Sequence, residues 1–347
     1  MENGEPRGSI FGELKTQMQK WLGQQMQHLR TRGTLLVLYI LVLCYFGWSS
    51  PAFLQSRNLV NILLQSSSAA IVACGMTLVL LTAGIDLSVG SIMLVSAAVA
   101  GKIVLQGLPL WTAVAAILAA GLICGAVNAY FITRLSILPF VVTLATLYIG
   151  RGLGLWITET RAMNLPEEIL RIGTTRIGGI PIPVIVLAVV VAFGHLMLTR
   201  SVLGRHIYAV GYSRETARRA GIPVRRVMSA TYILCGFCAA VGGLVSVAQL
   251  GAVSPTFGYQ REFAAVAAAV LGGTSLFGGR GSIFPGTLLG AVLIQTVENG
   301  LVIVNADPYL YPLVMSAIIF AAVATDSMQF ARLRELRHRR IRVEESV

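Results

Sequence analysis

Ten apolar runs follow one another along the chain, at about 33–48, 59–82, 87–106, 109–131, 137–158, 182–199, 227–249, 262–276, 283–305 and 309–326. Crossing the hydrocarbon of a bilayer takes about twenty apolar residues in a helix, or somewhat fewer with long polar side chains at the ends. The runs therefore predict an all-α fold: a polytopic transmembrane helix bundle with about ten spans. Composition agrees, because only 12% of the residues are charged while 55% are hydrophobic, and a soluble domain carries roughly twice that share of charge. The two least certain spans are 33–48, which is short, and 262–276. The latter ends at Gly272-Gly273 and suits either a full span or a half-helix with irregular backbone beside it, a form tolerated only where protein or a cavity surrounds it.

The basic residues set the expected orientation. Counting spans from an inner start, 20 of the 27 lysines and arginines fall on the inner side, six fall outside, and Arg151 lies within a run. Positive charge marks the cytoplasmic side, so both termini are expected there, and ten crossings satisfy that parity. The expected parts are a cytoplasmic segment 1–32, a transmembrane domain 33–326 and a basic tail 327–347. Within 1–32, Phe11, Leu14, Met18, Leu22 and Leu29 share one helix face beside Lys15, Lys20 and Arg30, as in a helix lying on a lipid surface or docked on a partner. No charged-apolar-cleavage pattern marks the first thirty residues, so no signal peptide is expected. The net charge of +12 does not point to nucleic acid, because the arginines sit in short loops and at the ends.

Between two runs stands Thr82-Ala83-Gly84-Ile85-Asp86-Leu87-Ser88-Val89-Gly90-Ser91. An acid at membrane depth is expensive unless it faces protein or water, which makes Asp86 and Ser88 candidates for a path or gate. The plain alternative is that both cap the next helix. Arg151, Glu262, Glu298 and Asn299 are further candidates, falling in outer halves or outer ends of their runs with Lys102 and Gln295; each also fits a snorkelling side chain or a helix–helix hydrogen bond.

The longest inner loop runs from Arg200 to Arg226. Glu215–Ala220 has the chemistry of a short helix, stopped at Gly221-Ile222-Pro223. Either this is a solvated positive loop or it is a rod that passes the motion of a cytoplasmic motor to the spans. Arg205, Gly211, Glu215, Ala217, Gly221 and Ile222 are the candidates for that second role. Gly121-x-x-x-Gly125 and Gly286-x-x-x-Gly290 offer small faces for close helix approach.

All five cysteines lie in apolar runs, where Cys235-x-x-Cys238 reads as packing. The glycines from Gly273 to Gly278 lack the Lys-Ser or Lys-Thr of a phosphate loop. No histidine pair has metal-binding spacing and no nucleophile motif occurs. No cofactor, metal or catalytic residue is expected, and the chain is not expected to be an enzyme.

Several of these stretches resemble one family, the ribose-type permeases, which are the membrane subunits of ATP-driven monosaccharide importers (ABC importers). The likeness rests on Gly84-Ile85-Asp86-Leu87-Ser88-Val89-Gly90 and on Val270-Leu271-Gly272-Gly273-Thr274 with its continuation to Gly290. Pro139–Thr146 with Arg151-Gly152, and Gly211, Ala217, Gly221 and Ile222 in the inner loop, also match. Tyr212, Ser213, Arg218, Ala220 and Ala264 depart from the family pattern. The likeness spans about 59–326. It implies a bacterial inner-membrane permease that moves a monosaccharide or similar polyol. It also implies separate ATPase subunits docked under Arg205–Ile222, a periplasmic or extracellular solute-binding protein, and a second permease copy. The rival is a self-sufficient secondary transporter or channel, for which Asp86 or Glu298 would be the coupling acid.

Overall fold

The computed structural model describes residues 35–324 and Ser327–Met328; the segment at 11–29 and nearly all of the basic tail lie outside them. Among the described residues thirteen α-helices carry the fold: α1 (Leu35–Ser49), α2 (Ser56–Leu81), α3 (Val89–Leu105), α4 (Leu110–Thr133), α5 (Pro139–Thr158), α6 (Glu167–Thr174), α7 (Ile182–Arg200), α8 (Val202–Tyr212), α9 (Arg214–Arg219), α10 (Val224–Leu250), α11 (Arg261–Leu271), α12 (Leu288–Ile303) and α13 (Leu310–Ala324). Six of them are long and apolar enough to cross a membrane: α2, α4, α5, α7, α10 and α12 with its lead-in from Ile283. α1, α3 and α13 are shorter apolar helices. The chain is thus an all-α multi-pass membrane protein.

Glycine and proline place most of the boundaries. Pro139 opens α5, Pro223 precedes α10, and Gly251 closes α10 in the left-handed region at φ 66°, where a glycine pays no β-carbon penalty. α2 and α10 form the centre: 78% and 67% of their apolar windows are buried, against 22–28% in α4, α5 and α7, which leave most of their surface for lipid. Small residues let these helices touch. A β-carbon on Gly121 would strike Gly236 and Ala240 of α10, one on Gly125 would meet Tyr232 and Ile233, and one on Gly75 of α2 would meet Cys235 and Cys238. Without a hydrophobic drive between helices in lipid, this close approach supplies the packing. Gly290 likewise lets α12 lie against Ala268 and Gly272.

Two sets of loops close opposite ends of the bundle. At one end, 82–88, 201–223 and 272–282 bond to one another. At the other, β1 (Met163–Asn164) pairs antiparallel with β4 (Ala252–Val253). The hairpin of β2 (Arg176–Ile177) and β3 (Ile180–Pro181) lies on the same side. α6 packs there on the end of α10 through Ile169 and Gly173.

The run 262–276 resolves into the half-helix. α11 has 11 residues and rises only about 17 Å at 1.5 Å per residue, roughly half of a hydrocarbon core. The backbone from Ser254 to Gln260 is non-helical and leads from β4 to the start of α11, with Gly258 and Gln260 in the left-handed region.

Candidate translocation and coupling site

Asp86 is the buried end of a line of donors. Ser88 N and Ser88 Oγ donate to Asp86 Oδ1 at 2.9 and 2.5 Å. Asn128 Nδ2 donates to Ser88 Oγ at 2.8 Å, and Thr146 Oγ1 donates to Asn128 Oδ1 at 2.6 Å. The line thus crosses from α5 through α4 to the start of α3, and every donor points toward the carboxylate. Such chains polarise one another in a low-dielectric interior. Asp86, Ser88 and Asn128 are each fully buried. The turn Asp86 makes to Ser88 is local, yet Ser88 at the N-cap of α3 makes no side-chain capping bond. Capping therefore explains only part of this arrangement. Among the described residues, Asp86 Oδ2 and the Tyr232 hydroxyl have no hydrogen-bond partner, and the Cys235 thiol lies beside the carboxylate. Gly84 is the residue that fits here, since a β-carbon would strike the Tyr232 hydroxyl.

Arg151 answers a different need. Its Nη1 and Nη2 donate to the carbonyls of Phe257 and Gly258, each at 2.6 Å, and its guanidinium lies 5.7 Å from the centre of the Tyr259 ring. Non-helical backbone at membrane depth must find its hydrogen bonds within the protein, and Arg151 supplies two of them to the segment before α11. Beside it, Glu262 is 5% exposed and its Oε2 has no hydrogen-bond partner among the described residues. Both groups crowd Gly90, where a β-carbon would meet the Gly258 carbonyl and the Glu262 carboxylate. The structure therefore joins Asp86 and Ser88 to Arg151 and Glu262 through one turn of α3. Ser91 Oγ continues the link, donating to the Ser88 carbonyl at 2.8 Å and lying 3.3 Å from the Thr146 carbonyl.

Glu298 and Asn299 belong to a second, more open group. Asn58 Nδ2 donates to Asn299 Oδ1 at 2.9 Å, and Gln295 Nε2 to Gln65 Oε1 at 3.2 Å. Arg261 and Gln295 face the Glu298 carboxylate. Arg57, Asn61 and Gln65 recur every fourth residue on α2 and are all exposed, forming a polar stripe along its first half. Lys102 is not part of this stripe; it pairs with Glu159 at 2.8 Å.

The loop 200–226 is two helices, with α9 where a short helix is expected and α8 added before it. Ser201 and Ser213 cap them, accepting from Gly204 N at 3.0 Å and Thr216 N at 3.2 Å. Gly211 is buried so tightly that a β-carbon would collide with the Leu81 carbonyl. Tyr208 donates to the Gly281 carbonyl at 2.9 Å. Ala217 is buried and Ile222 half-buried, while Arg205 and Glu215 are exposed. Glu215 pairs with Arg219 at 3.1 Å within α9. Gly221 is left-handed at φ 78° with open space around it, as a glycine stop requires.

Sequence reasoning missed Asn128 and Thr146, the Asn61–Gln65 stripe, Tyr232 and Arg214. Asn128 had a readable signal, a single amide inside an otherwise apolar run; Arg214 did not stand out among its neighbouring arginines.

Residues 58–323 match the family described as the branched-chain amino acid transport system permease component. The chain belongs to this family of transport permeases. It is 38% identical over 297 residues to the ribose import permease protein of Escherichia coli (strain K12), covering 84% of this chain and 92% of that one. To the D-allose transport system permease protein of the same organism it is 36% identical, with coverages of 85% and 91%. To the fructose import permease protein of Rhizobium meliloti it is 34% identical, with coverages of 88% and 89%.

Proposed function

We infer that this permease is the membrane subunit of an ABC importer for a monosaccharide or similar polyol. It crosses the inner membrane ten times, counting the Gly251–Leu271 descent as one crossing, with both termini in the cytoplasm. Separate ATPase subunits dock on α8 and α9, a solute-binding protein delivers sugar at the opposite end, and a second copy completes the path. The chain itself performs no catalysis. Family membership with sugar-importing relatives supports the class.

The observation that carries the mechanism is the α8–α9 unit. It is held to the bundle by backbone at Gly211 while presenting Arg205, Arg218 and Arg219 outward. A basic, capped helix pair of this kind suits an acidic groove on a motor subunit. ATP binding would move that unit, and the bundle would shift between two access states by differential contacts in each. The Asn58, Asn61, Gln65, Gln295, Glu298 and Asn299 stripe supplies neutral and acidic acceptors for sugar hydroxyls. The exposure of Asn61 and Gln65 suits a path that binds weakly enough to release its solute. Asp86, Ser88, Arg151 and Glu262 lie deeper and act as the gate.

The test is reconstitution. With its ATPase and binding protein in liposomes, the permease is expected to accumulate D-ribose, D-allose or D-fructose only when ATP is supplied. If the chain alone accumulates any of them on a proton or sodium gradient, the importer reading is wrong and a secondary transporter replaces it.

A further inference from the structure

The carbonyls at the end of α2 can be accounted for one by one. The Val79 carbonyl accepts from Thr82 N at 3.0 Å and Gly84 N at 3.2 Å, and the Leu80 carbonyl accepts from Ala83 N at 2.9 Å. The next three are bonded by segments far away in sequence. Leu81 accepts from Gly279 N at 3.0 Å, and Arg214 Nη2 donates to the Thr82 and Ala83 carbonyls at 3.1 and 3.3 Å. A cation at the C-terminal end of a helix is favourably placed against its dipole, so Arg214 fits this position in charge as well as reach.

The turn it holds has little room to yield. Ala83 is left-handed at φ 56° without being a glycine, a conformation kept only where the surroundings impose it. Gly278 lies so close to Ala83 that a β-carbon on it would sit 2.9 Å from the Ala83 side chain. Tyr232 closes off Gly84 on the other side. Three residues after Ala83 comes Asp86. Arg218 and Arg219 of the same short helix instead pair with Glu215 of α9 itself.

We propose that Arg214 is a positioning residue that ties the α8–α9 unit to the turn carrying Asp86. Displacement of α9 then drags Thr82–Asp86 and disturbs the Asp86–Ser88–Asn128 line instead of sliding past it. The proposal rests on the reading that an ATPase docks on this unit. It adds a side chain through which that motion reaches the buried gate.

The test uses the assembled complex and needs no knowledge of the sugar. The half-buried Ile85 is replaced by cysteine, and its labelling by a maleimide is timed with and without ATP plus vanadate. With Arg214 present, nucleotide is expected to change the labelling rate at least about fivefold, the lower end of ordinary coupling between sites. With Arg214→Ala the change is expected to fall below about twofold, a loss of most of that coupling, while ATPase co-purification and ATP hydrolysis persist. Arg214→Lys is expected to restore part of the response, and Arg200→Ala, at the exposed end of α7 outside the docking unit, to leave it intact. Ala83→Gly, which relaxes the turn without removing a donor, is expected to weaken the response in a fully folded protein and serves if Arg214→Ala does not fold. A nucleotide response that survives Arg214→Ala overturns the proposal, as does one absent from the parent. Loss of the ATPase from Arg214→Ala alone also overturns it, by making the residue part of the docking surface. If no ATPase binds the parent, the importer reading itself fails.

Discussion

The two halves of α2 differ as sharply as two proteins. From Ser56 to Gln65 nearly every residue is exposed or half-buried; from Ser66 to Leu81 every residue but Ala69 is buried. The first half presents Arg57, Asn61 and Gln65 beside Gln295 and Glu298, and each of its amide–amide bonds joins an exposed or half-buried amide of α2 to a buried one of α12. The second half runs down through tight glycine contacts to the turn that carries Asp86. Polar groups in the first half can exchange partners with water or solute, so their loss should be felt in transport. Polar groups around the second half bond to one another in the buried interior, so their loss should be felt first in folding.

The largest expected effect is on the crowded side. Gly90→Val would drive a branched side chain into the Gly258 carbonyl and the Glu262 carboxylate, and neither backbone nor a charged group can step aside cheaply. We expect destabilisation of about 3 kcal/mol or more, at or above the top of the usual overpacking range. It should appear as loss of a monodisperse peak in detergent. Gly152→Val, where a β-carbon meets nothing within 4 Å, is the paired control and should purify normally. If both behave alike, the distinction between crowded and open positions has no energetic content.

Next comes a matched pair of asparagines. Asn128→Leu removes two hydrogen bonds, from Asn128 to Ser88 and from Thr146 to Asn128, while Ser88 Oγ keeps Asp86 and Thr146 Oγ1 keeps the Val142 carbonyl. At about 0.5–1.5 kcal/mol for each lost bond, the cost should be about 1–3 kcal/mol of stability. Asn61→Leu changes an exposed position and should stay within about 0.5 kcal/mol, yet reduce sugar uptake. Thermal melts and uptake measured side by side separate the two; equal melting shifts would remove the contrast.

Asp86→Asn sharpens it further. The amide keeps an acceptor for Ser88, so stability should change by no more than about 1 kcal/mol. Uptake is nevertheless expected to collapse if the charge serves gating. Normal uptake would return Asp86 to a purely local turn role.

The smallest effect is a pH dependence at the far rim. Hydrogen bonding to Lys102 holds the exposed Glu159 carboxyl below its ordinary range. A depressed carboxylate contributes stability above its unfolded pKa and loses it as pH falls through the folded value. Melting of the parent should therefore drop slightly more steeply than that of Lys102→Ala from about pH 5 downward. Parallel curves would show that the pair contributes nothing.

Much of this contrast was only half legible in the sequence. Apolar runs announce helices, and nine of the ten runs are helices at nearly the expected bounds. The tenth, 262–276, is cut to Arg261–Leu271 because Gly272-Gly273 ends it and because polar Tyr259-Gln260-Arg261 precede it. α8 passed for loop since only Ile207 and Val210 of its face are fully buried, too few for a span and too irregular for a clear stripe. Asp86 was legible because an acid between apolar runs is conspicuous. The role of Arg151 was not: it answers two carbonyls more than a hundred residues away, and no local pattern reveals which backbone lacks a donor. Exposure along α2 was partly legible, because Arg57, Asn58, Asn61 and Gln65 all fall in its first half while the second half holds no charged or amide residue.

The contact of Gly211 with the Leu81 carbonyl has a consequence for anyone exchanging parts between related permeases. Three stretches from distant places in the gene, around 79–84, 208–214 and 275–281, meet there backbone to backbone, with almost no side chain to absorb a mismatch. A transplanted 200–226 segment would bring its own curvature to a seam cut for another. Chimaeras that swap this segment alone should therefore assemble poorly, whereas those that carry all three stretches together should assemble, and the shortest exchangeable module of this permease is discontinuous.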